Sequence, residues 1–365
     1  MISFETLETL ARAQGLDAVS VLPAGLAPSR ERLWQWVEAG YAGDMTWMVR
    51  TALLRVDPFR LLPGVRSLVV VMMRYASRPQ TPPPGSGRIA RYAWGREYHR
   101  VLRKRLWRLW REILAQTGRA DAKARVFVDA GPLWERDFAA AAGLGWRAKN
   151  THVIHPRLGS YTFLGVLLTT LALPEPPIPP MLRALYGSRA EGRSAPFSLC
   201  GSCRRCLEAC PTQAFVAPGV LDARACISYL TIEYRGPIPL SFRTQMGTWL
   251  VGCDVCQEVC PWNGQLLSLP SSHPFAGTRD AGWVSLHEAV QMDEESFHHR
   301  FQGRAVRRLS PEQFRRNAAV VLGNVGTPRD LPFLARRLRE EPSPLVREHL
   351  RWAIQVIRGR IRRSS

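Results

Sequence analysis

Lysine is almost missing from this chain. Of 50 basic residues in 365, only Lys104, Lys123 and Lys149 are lysines, and the rest are arginine. Against that background Lys149, next to Asn150, is a candidate site residue on composition alone. Long apolar runs are missing as well. The longest, residues 161–173, is interrupted by Thr162, Thr169 and Thr170 and falls short of the ~20 residues a bilayer crossing needs. No membrane span is expected. Residues 1–20 lack the charged, then apolar, then small pattern of a leader, and Leu7, Leu10, Ala11 and Leu16 fall instead on one helical face. A cytoplasmic protein is the expectation. Acidic residues are few, 30 against 50 basic, which leaves a net charge of +20. The excess is concentrated, because residues 300–365 hold 16 arginines against Glu312, Asp330, Glu340, Glu341 and Glu348. Such a basic end suits a polyanion held through phosphate contacts, although a solvated face without a ligand has the same composition.

Cysteine is absent before residue 200 and after residue 260, and the eight between are spaced for metal. Cys200, Cys203, Cys206 and Cys210, followed by Pro211, form C-x2-C-x2-C-x3-C-P. In that spacing three thiolates grip one iron–sulfur cube and the fourth turns to a neighbouring cluster. Cys253, Cys256, Cys260 and Pro261 repeat the pattern, with Leu250 where its first cysteine would be. By the same crossing, Cys200, Cys203, Cys206 and Cys260 share the first [4Fe-4S] cluster. Cys210, Cys253 and Cys256 belong to the second, completed by the one remaining cysteine, Cys226. Two four-cysteine zinc sites are the alternative, but zinc gives no reason for a proline after both runs; disulfides do not persist in a reducing compartment. Two cubes make a wire for single electrons, and a wire needs a reacting centre at its end.

The length allows ~2–3 domains. Residues 2–50 read as helices carrying Trp34, Trp36 and Trp47 toward a core. Residues 67–73 form a buried strand without polar alternation, and further strands are expected at 126–128, 153–154 and 161–168. Between them an amphipathic helix aligns Leu102, Leu106, Leu109, Trp110 and Ile113. Asp129 ends a strand before a Gly131-Pro132 turn, where an acid can meet a ligand or simply cap the turn. Residues 174–196 read as a linker into the cysteine module. Beyond residue 282, Ser310-Pro311, Thr327-Pro328 and Pro344 open helices whose arrangement suggests a HEAT-type unit.

Several segments together resemble the epoxyqueuosine reductase family: Arg91-Tyr92-Ala93-Trp94-Gly95, Val128-Asp129, Ala142-Gly143-Leu144-Gly145-Trp146, Lys149-Asn150-Thr151, Cys226-Ile227-Ser228-Tyr229-Leu230-Thr231 and Cys260-Pro261-Trp262-Asn263. The resemblance implies an α+β multidomain chain. A nitroreductase-like α/β domain over residues 1–180 would hold cobalamin, a ferredoxin-like domain over 190–265 two [4Fe-4S] clusters, and a basic HEAT-like helical domain over 284–365 tRNA. It further implies an enzyme that reduces epoxyqueuosine in the tRNA anticodon loop to queuosine; an unidentified electron donor and a monomeric state are the accompanying expectations. Asp129 matches the family's proton donor, and Arg55, Tyr92, Asp129, Lys149 and Asn150, with strand backbone around Val153 and Leu164, are expected at the cobalamin. For Asp129 to carry a proton near neutrality, burial or a neighbouring negative charge must raise its pKa. Val166 and Thr170 stand where many relatives carry acids, and Arg74 and Ala130-Gly131 also depart from the family pattern. The rival readings are a corrinoid reductive dehalogenase, a ferredoxin-type electron carrier, and a nucleic-acid-binding protein whose clusters are structural.

Overall fold

The computed structural model describes residues 2–75, 81–176, 199–264, 269–277 and 282–364. Helix α1 (Phe4–Ala13), capped by the Ser3 hydroxyl, is followed by strand β1 (Ala18–Pro23), then helix α2 (Arg30–Glu38). The strand corrects the all-helical expectation for residues 2–50. Val19, Val21 and Leu22 are buried there by pairing with strand β2 (Ser67–Arg74), a long-range contact that local helix periodicity cannot register.

β2 is the centre of the main sheet, and all but its last residue are buried. Its lack of polar alternation has a plain cause. Val69, Val71 and Met73 enter one apolar cluster and Leu68, Val70 and Met72 another, so both faces are covered. After strand β3 (Ser86–Ile89), helix α3 (Tyr98–Thr117) lays Leu102, Leu106, Leu109 and Ile113 on the first face. Each such fully buried side chain contributes about 1.5–3 kcal/mol. Strand β4 (Ala124–Phe127) precedes helix α4 (Glu135–Ala141), which covers the second face through Phe138 and Ala139. The hairpin of β5 (Trp146–Arg147) and β6 (Val153–Ile154) leads into β7 (Thr162–Thr169), giving an antiparallel sheet in the order β1-β2-β7-β4. Gly165 in β7 lets α3 approach, since a Cβ there would meet Leu106 Cδ1 at 2.8 Å.

The linker reading falls largely on residues 177–198, outside the described residues. Past it come a hairpin of β8 (Phe215–Ala217) and β9 (Val220–Leu221), helix α5 (Ile227–Ile232), β10 (Trp249–Val251) and β11 (Trp283–Ser285). β3 pairs with β10 in parallel and with β11 antiparallel, so one small sheet joins three segments far apart in sequence. The helices expected in the last part are present as α6 (Pro311–Val325), α7 (Leu331–Glu340) and α8 (Pro344–Ser364), the first with a full Ser310–Gln313 capping box.

Buried polar groups tie α6 to the cysteine-bearing segment. Asn317 Nδ2 donates to the Thr231 and Leu250 carbonyls at 2.9 and 3.0 Å, while Arg316 reaches the Leu230, Tyr234 and Gly236 carbonyls at 2.7–2.8 Å. Arg316 is fully buried. Part of the basic excess is therefore spent inside, and the arginine count overstates the surface charge. Arg329, Arg336, Arg339, Arg351 and Arg358 remain exposed. Among the described residues no helix is long and apolar enough to cross a membrane.

Candidate active site

Chain connectivity shapes the cysteine loops first. The Cys203 amide donates to the Cys200 carbonyl, and the one-turn helices Arg205–Glu208 and Val255–Glu258 follow Cys203 and Asp254. Folding then divides the thiols in two. Cys206 faces Cys200, Cys203 and Cys260, and Cys260 faces Cys200 and Cys203. Cys253 faces Cys210 and Cys226, and Cys256 faces Cys253 and Cys226 and, more weakly, Cys206 of the first set. All eight are free of disulfides and half-buried. Burial pushes the Cys206 thiol up to about 11, and Cys226, Cys253, Cys256 and Cys260 also above the ordinary range. Thiols so placed need bound cations to become thiolates. Among the described residues no three His, Cys, Asp or Glu side chains close on a point as a single ion requires.

A cavity of about 50 Å³ opens beside Cys200, Cys206 and Cys260 and is also bordered by Lys149, Asn150 and Trp262. Lys149 Nζ donates to the Gly201 and Cys203 carbonyls at 2.6 and 2.9 Å, and buried Asn150 reaches the Cys256 carbonyl at 3.3 Å. Both residues were expected against a corrinoid; their side chains are committed to the cysteine loops.

Asp129 stands at the apex of the loop after β4 in the left-handed region, φ 53°, which costs a non-glycine residue of order 1 kcal/mol. Its carboxylate is held from three segments. The Tyr98 hydroxyl donates to Oδ2, His99 Nε2 lies 3.3 Å from the same oxygen, and Arg308 is 3.9 Å away. The side chain is 55% exposed. What burial there is pushes the carboxyl up, but His99, Tyr98 and Arg308 outweigh it and hold it below the usual range. This overturns the expected raised pKa. The acid with a raised pKa is Glu135, lifted to about 8 by burial and by the Asp129 charge, and its buried Oε1 has no hydrogen-bond partner.

Tyr92 connects this loop to the second cage. Its ring meets Tyr98 edge-on at 6.2 Å, and a Cβ on Gly252, the residue before Cys253, would touch it at 3.1 Å. Buried Arg55 donates from Nε to Thr51 Oγ1 at 3.0 Å, stacks on Trp47, and has Glu135 and Asp129 as charged neighbours. Val153 is buried in β6, and Leu164 is half-buried in β7 opposite Met72. Three of the departures from the family pattern make structural contacts. Val166 lies opposite Val70 and Phe127, Thr170 Oγ1 accepts from the Lys123 amide at 2.9 Å, and Arg74 pairs with Asp17 at 3.0 Å. Tyr98, His99, Glu135 and Arg308 were not anticipated as partners of Asp129. Only Glu97-Tyr98-His99, an acid and an imidazole two apart at a helix start, offered a signal.

Two family profiles match: a 4Fe-4S double cluster binding domain over residues 199–263 and epoxyqueuosine reductase QueG, DUF1730, over residues 55–130. Epoxyqueuosine reductase of Vibrio cholerae is 37% identical over 93% of this chain and 88% of its own length. The protein of the same name from Pseudomonas aeruginosa is 38% identical over 96% and 93%. A structure of Bacillus subtilis epoxyqueuosine reductase, with its catalytic aspartate loop swung out of the active site, superposes with a TM-score of 0.83 at 30% identity, covering 97% of this chain and 90% of that one. Another, of an epoxyqueuosine reductase with an epoxyqueuosine-modified tRNA-Tyr stem loop, gives 0.78 at 27% identity, covering 97% and 98%.

Proposed function

Because the chain belongs to the epoxyqueuosine reductase family, we propose that it reduces epoxyqueuosine in tRNA with Asp129 as the proton donor and cobalamin as the reacting cofactor. The observation that carries the assignment of Asp129 is its setting: a strained, solvent-facing carboxylate fixed by Tyr98, His99 and Arg308. Strain of this kind persists where surrounding contacts over-determine it, and it concentrates at functional sites. The swinging aspartate loop of the Bacillus subtilis relative supports the same reading.

The residues around Asp129 fit a large polar-edged cofactor. Glu135 Oε1 is buried there without a hydrogen-bond partner, and Ala130, which follows Asp129, is exposed. Arg55, Tyr92 and Asp129, with strand backbone at Val153 and Leu164, would hold it. When bound, cobalamin supplies a two-electron centre for C–O cleavage that one-electron clusters lack. The chain's own part is positional. Tyr92 fills the space between the second cage and Asp129, Arg55 places a cation beside two carboxyls, and Asp129 meets the oxygen that leaves. Opening an epoxide and releasing its oxygen as water requires protons, and a positioned acid is worth ~10²–10⁴ in rate.

The two thiol sets, Cys200, Cys203, Cys206 and Cys260, and Cys210, Cys226, Cys253 and Cys256, each ligate one [4Fe-4S] cluster in this reading. Their neighbour relations support it. We assign the sheet around β2 to a nitroreductase-like domain and α6–α8 to a HEAT-like unit. The exposed arginines of that unit face the tRNA phosphates of a monomeric, cytoplasmic enzyme. The deciding experiment is Asp129→Ala in protein loaded with iron and cobalamin. Turnover falls by ~10²–10⁴ while both cofactors stay bound; full turnover with cobalamin in place would remove Asp129 from the mechanism.

A further inference from the structure

The two oxygens of Asp129 are not alike. Oδ2 receives the Tyr98 hydroxyl and faces His99 and Arg308, whereas among the described residues no hydrogen bond or ion pair reaches Oδ1. On its far side His99 bonds through Nδ1 to Glu97 Oε1. An imidazole between two carboxylates meets both with a hydrogen only as imidazolium, since the neutral ring would aim a lone pair at one of them. The ring is fixed in place. Glu97 caps α3 by accepting the His99 and Arg100 amides at 3.2 and 2.9 Å, and the imidazole stacks on Tyr98 at 4.0 Å. Nε2 is buried yet not aligned for a hydrogen bond to Oδ2. Its proton is stored next to the carboxylate rather than shared with it.

We propose that His99 is the proton reservoir behind Asp129, a positioning residue that acts on the substrate oxygen only through that carboxylate. The inference rests on the reading of Asp129 as donor. In the step, the His99 Nε2–H bond breaks and an Asp129 Oδ2–H bond forms. The carboxyl then gives its proton to the substrate oxygen, whose own electron pair makes the new O–H bond. One proton moves in each transfer and no electrons are exchanged within the relay; the neutral ring keeps Nδ1–H toward Glu97 and regains a proton at Nε2 from water by way of the exposed Asp129 carboxylate. The groups facing the relay are Glu97 and Tyr98 on α3, Asp129 on the loop after β4, and Arg308 from the 305–308 turn. Behind them Tyr92 and Glu233 face Arg308, and Glu135 and Arg55 face Asp129. Although burial alone would lower the pKa of His99, its contacts with the Asp129 and Glu97 carboxylates lift it to about 9, and the His99 contact helps hold Asp129 down. At rest the proton therefore sits on the ring, and only a base stronger than either group, such as an alkoxide, draws it through.

The test uses the full-length, cluster-bearing protein. In single turnovers with the cofactor reduced beforehand, the wild-type rate is flat through neutrality and falls above about pH 9, where the ring loses its proton. His99→Gln lowers the rate ~10²-fold, abolishes that alkaline limb and leaves tRNA affinity unchanged, and added imidazole restores part of the loss. Separately, nitrogen NMR of the cobalamin-free wild type shows the His99 ring titrating near 9, moving toward the ordinary 6.5 in Asp129→Asn. A His99→Gln protein with wild-type rate and an unchanged limb overturns the proposal, as does a wild-type ring titrating near 6.5. The NMR titration needs no His99 variant and decides the matter if His99→Gln does not fold. Full turnover by Asp129→Asn would instead defeat the underlying donor assignment; an inactive Asp129→Asn beside a normal His99→Gln defeats the reservoir alone.

Discussion

The two cysteine cages carry the same four donors in different surroundings. By exposed area their thiols are alike; what differs is the protein packed around them. The first borders a small cavity beside Trp262, which is 38% exposed, and an ammonium group, Lys149, holds its loop. The second is set into the molecule. Cys226 begins α5, Cys253 packs against the cluster of Ile227, Met246 and Trp249, and Asp254 beside it is buried and accepts the Arg91 amide at 2.8 Å. Burial accordingly pushes Cys253 and Cys256 further up than Cys206. Among the described residues the second adjoins Tyr92 and, through it, the Asp129 loop. With one cluster in each cage, as proposed above, this contrast would give the wire a direction, electrons entering at the outer cage and leaving from the inner one.

The largest effect expected separates the cages outright. Cys226→Ser lowers bound iron from about eight to about four per chain and abolishes turnover with any donor. Cys260→Ser loses as much iron but keeps part of its turnover with dithionite, which is small enough to reduce the inner cluster directly. Equal loss in both, read by iron content and dithionite-driven turnover, breaks the inner–outer distinction. A smaller effect tests the packing. Gly252→Ala places a Cβ 2.7 Å from that of Ala90 at φ 69°, and costs about 1–3 kcal/mol by denaturant unfolding. Gly201→Ala, at φ 49° with open space around it, costs about 1 kcal/mol. If the two cost the same, the inner cage is no tighter than the outer. The smallest effect is electrostatic: Lys149→Ala lowers the potential of the outer cluster by roughly tens of millivolts and leaves the inner one unmoved, as seen in a potentiometric EPR titration.

The same contrast runs through what could be read before folding. The C-x2-C spacings, the strand at Ser67–Arg74 and the amphipathic face of α3 were legible because each is set by neighbours within a few residues. β1 was not, because six residues between two helical stretches become a strand only when β2 lies alongside them. Lys149 stood out by rarity, which marked it as important without locating it. Arginine counting gave the right sign for the tail but included Arg316, which is buried on carbonyl groups.

The sequence by itself determined which atoms can act as donors, eight thiols largely at C-x2-C spacings, since chain connectivity keeps such near neighbours together; which distant cysteines face them was left to folding. Tertiary structure alone decided which carboxyls hold protons. Asp129 is brought down by Tyr98 and His99 from α3 and by Arg308 from the tail, and Glu135 is raised by losing water beside that charge. A pKa is set by every charge and dipole within a few ångströms, and no local pattern in the chain records which distant residues folding will place there.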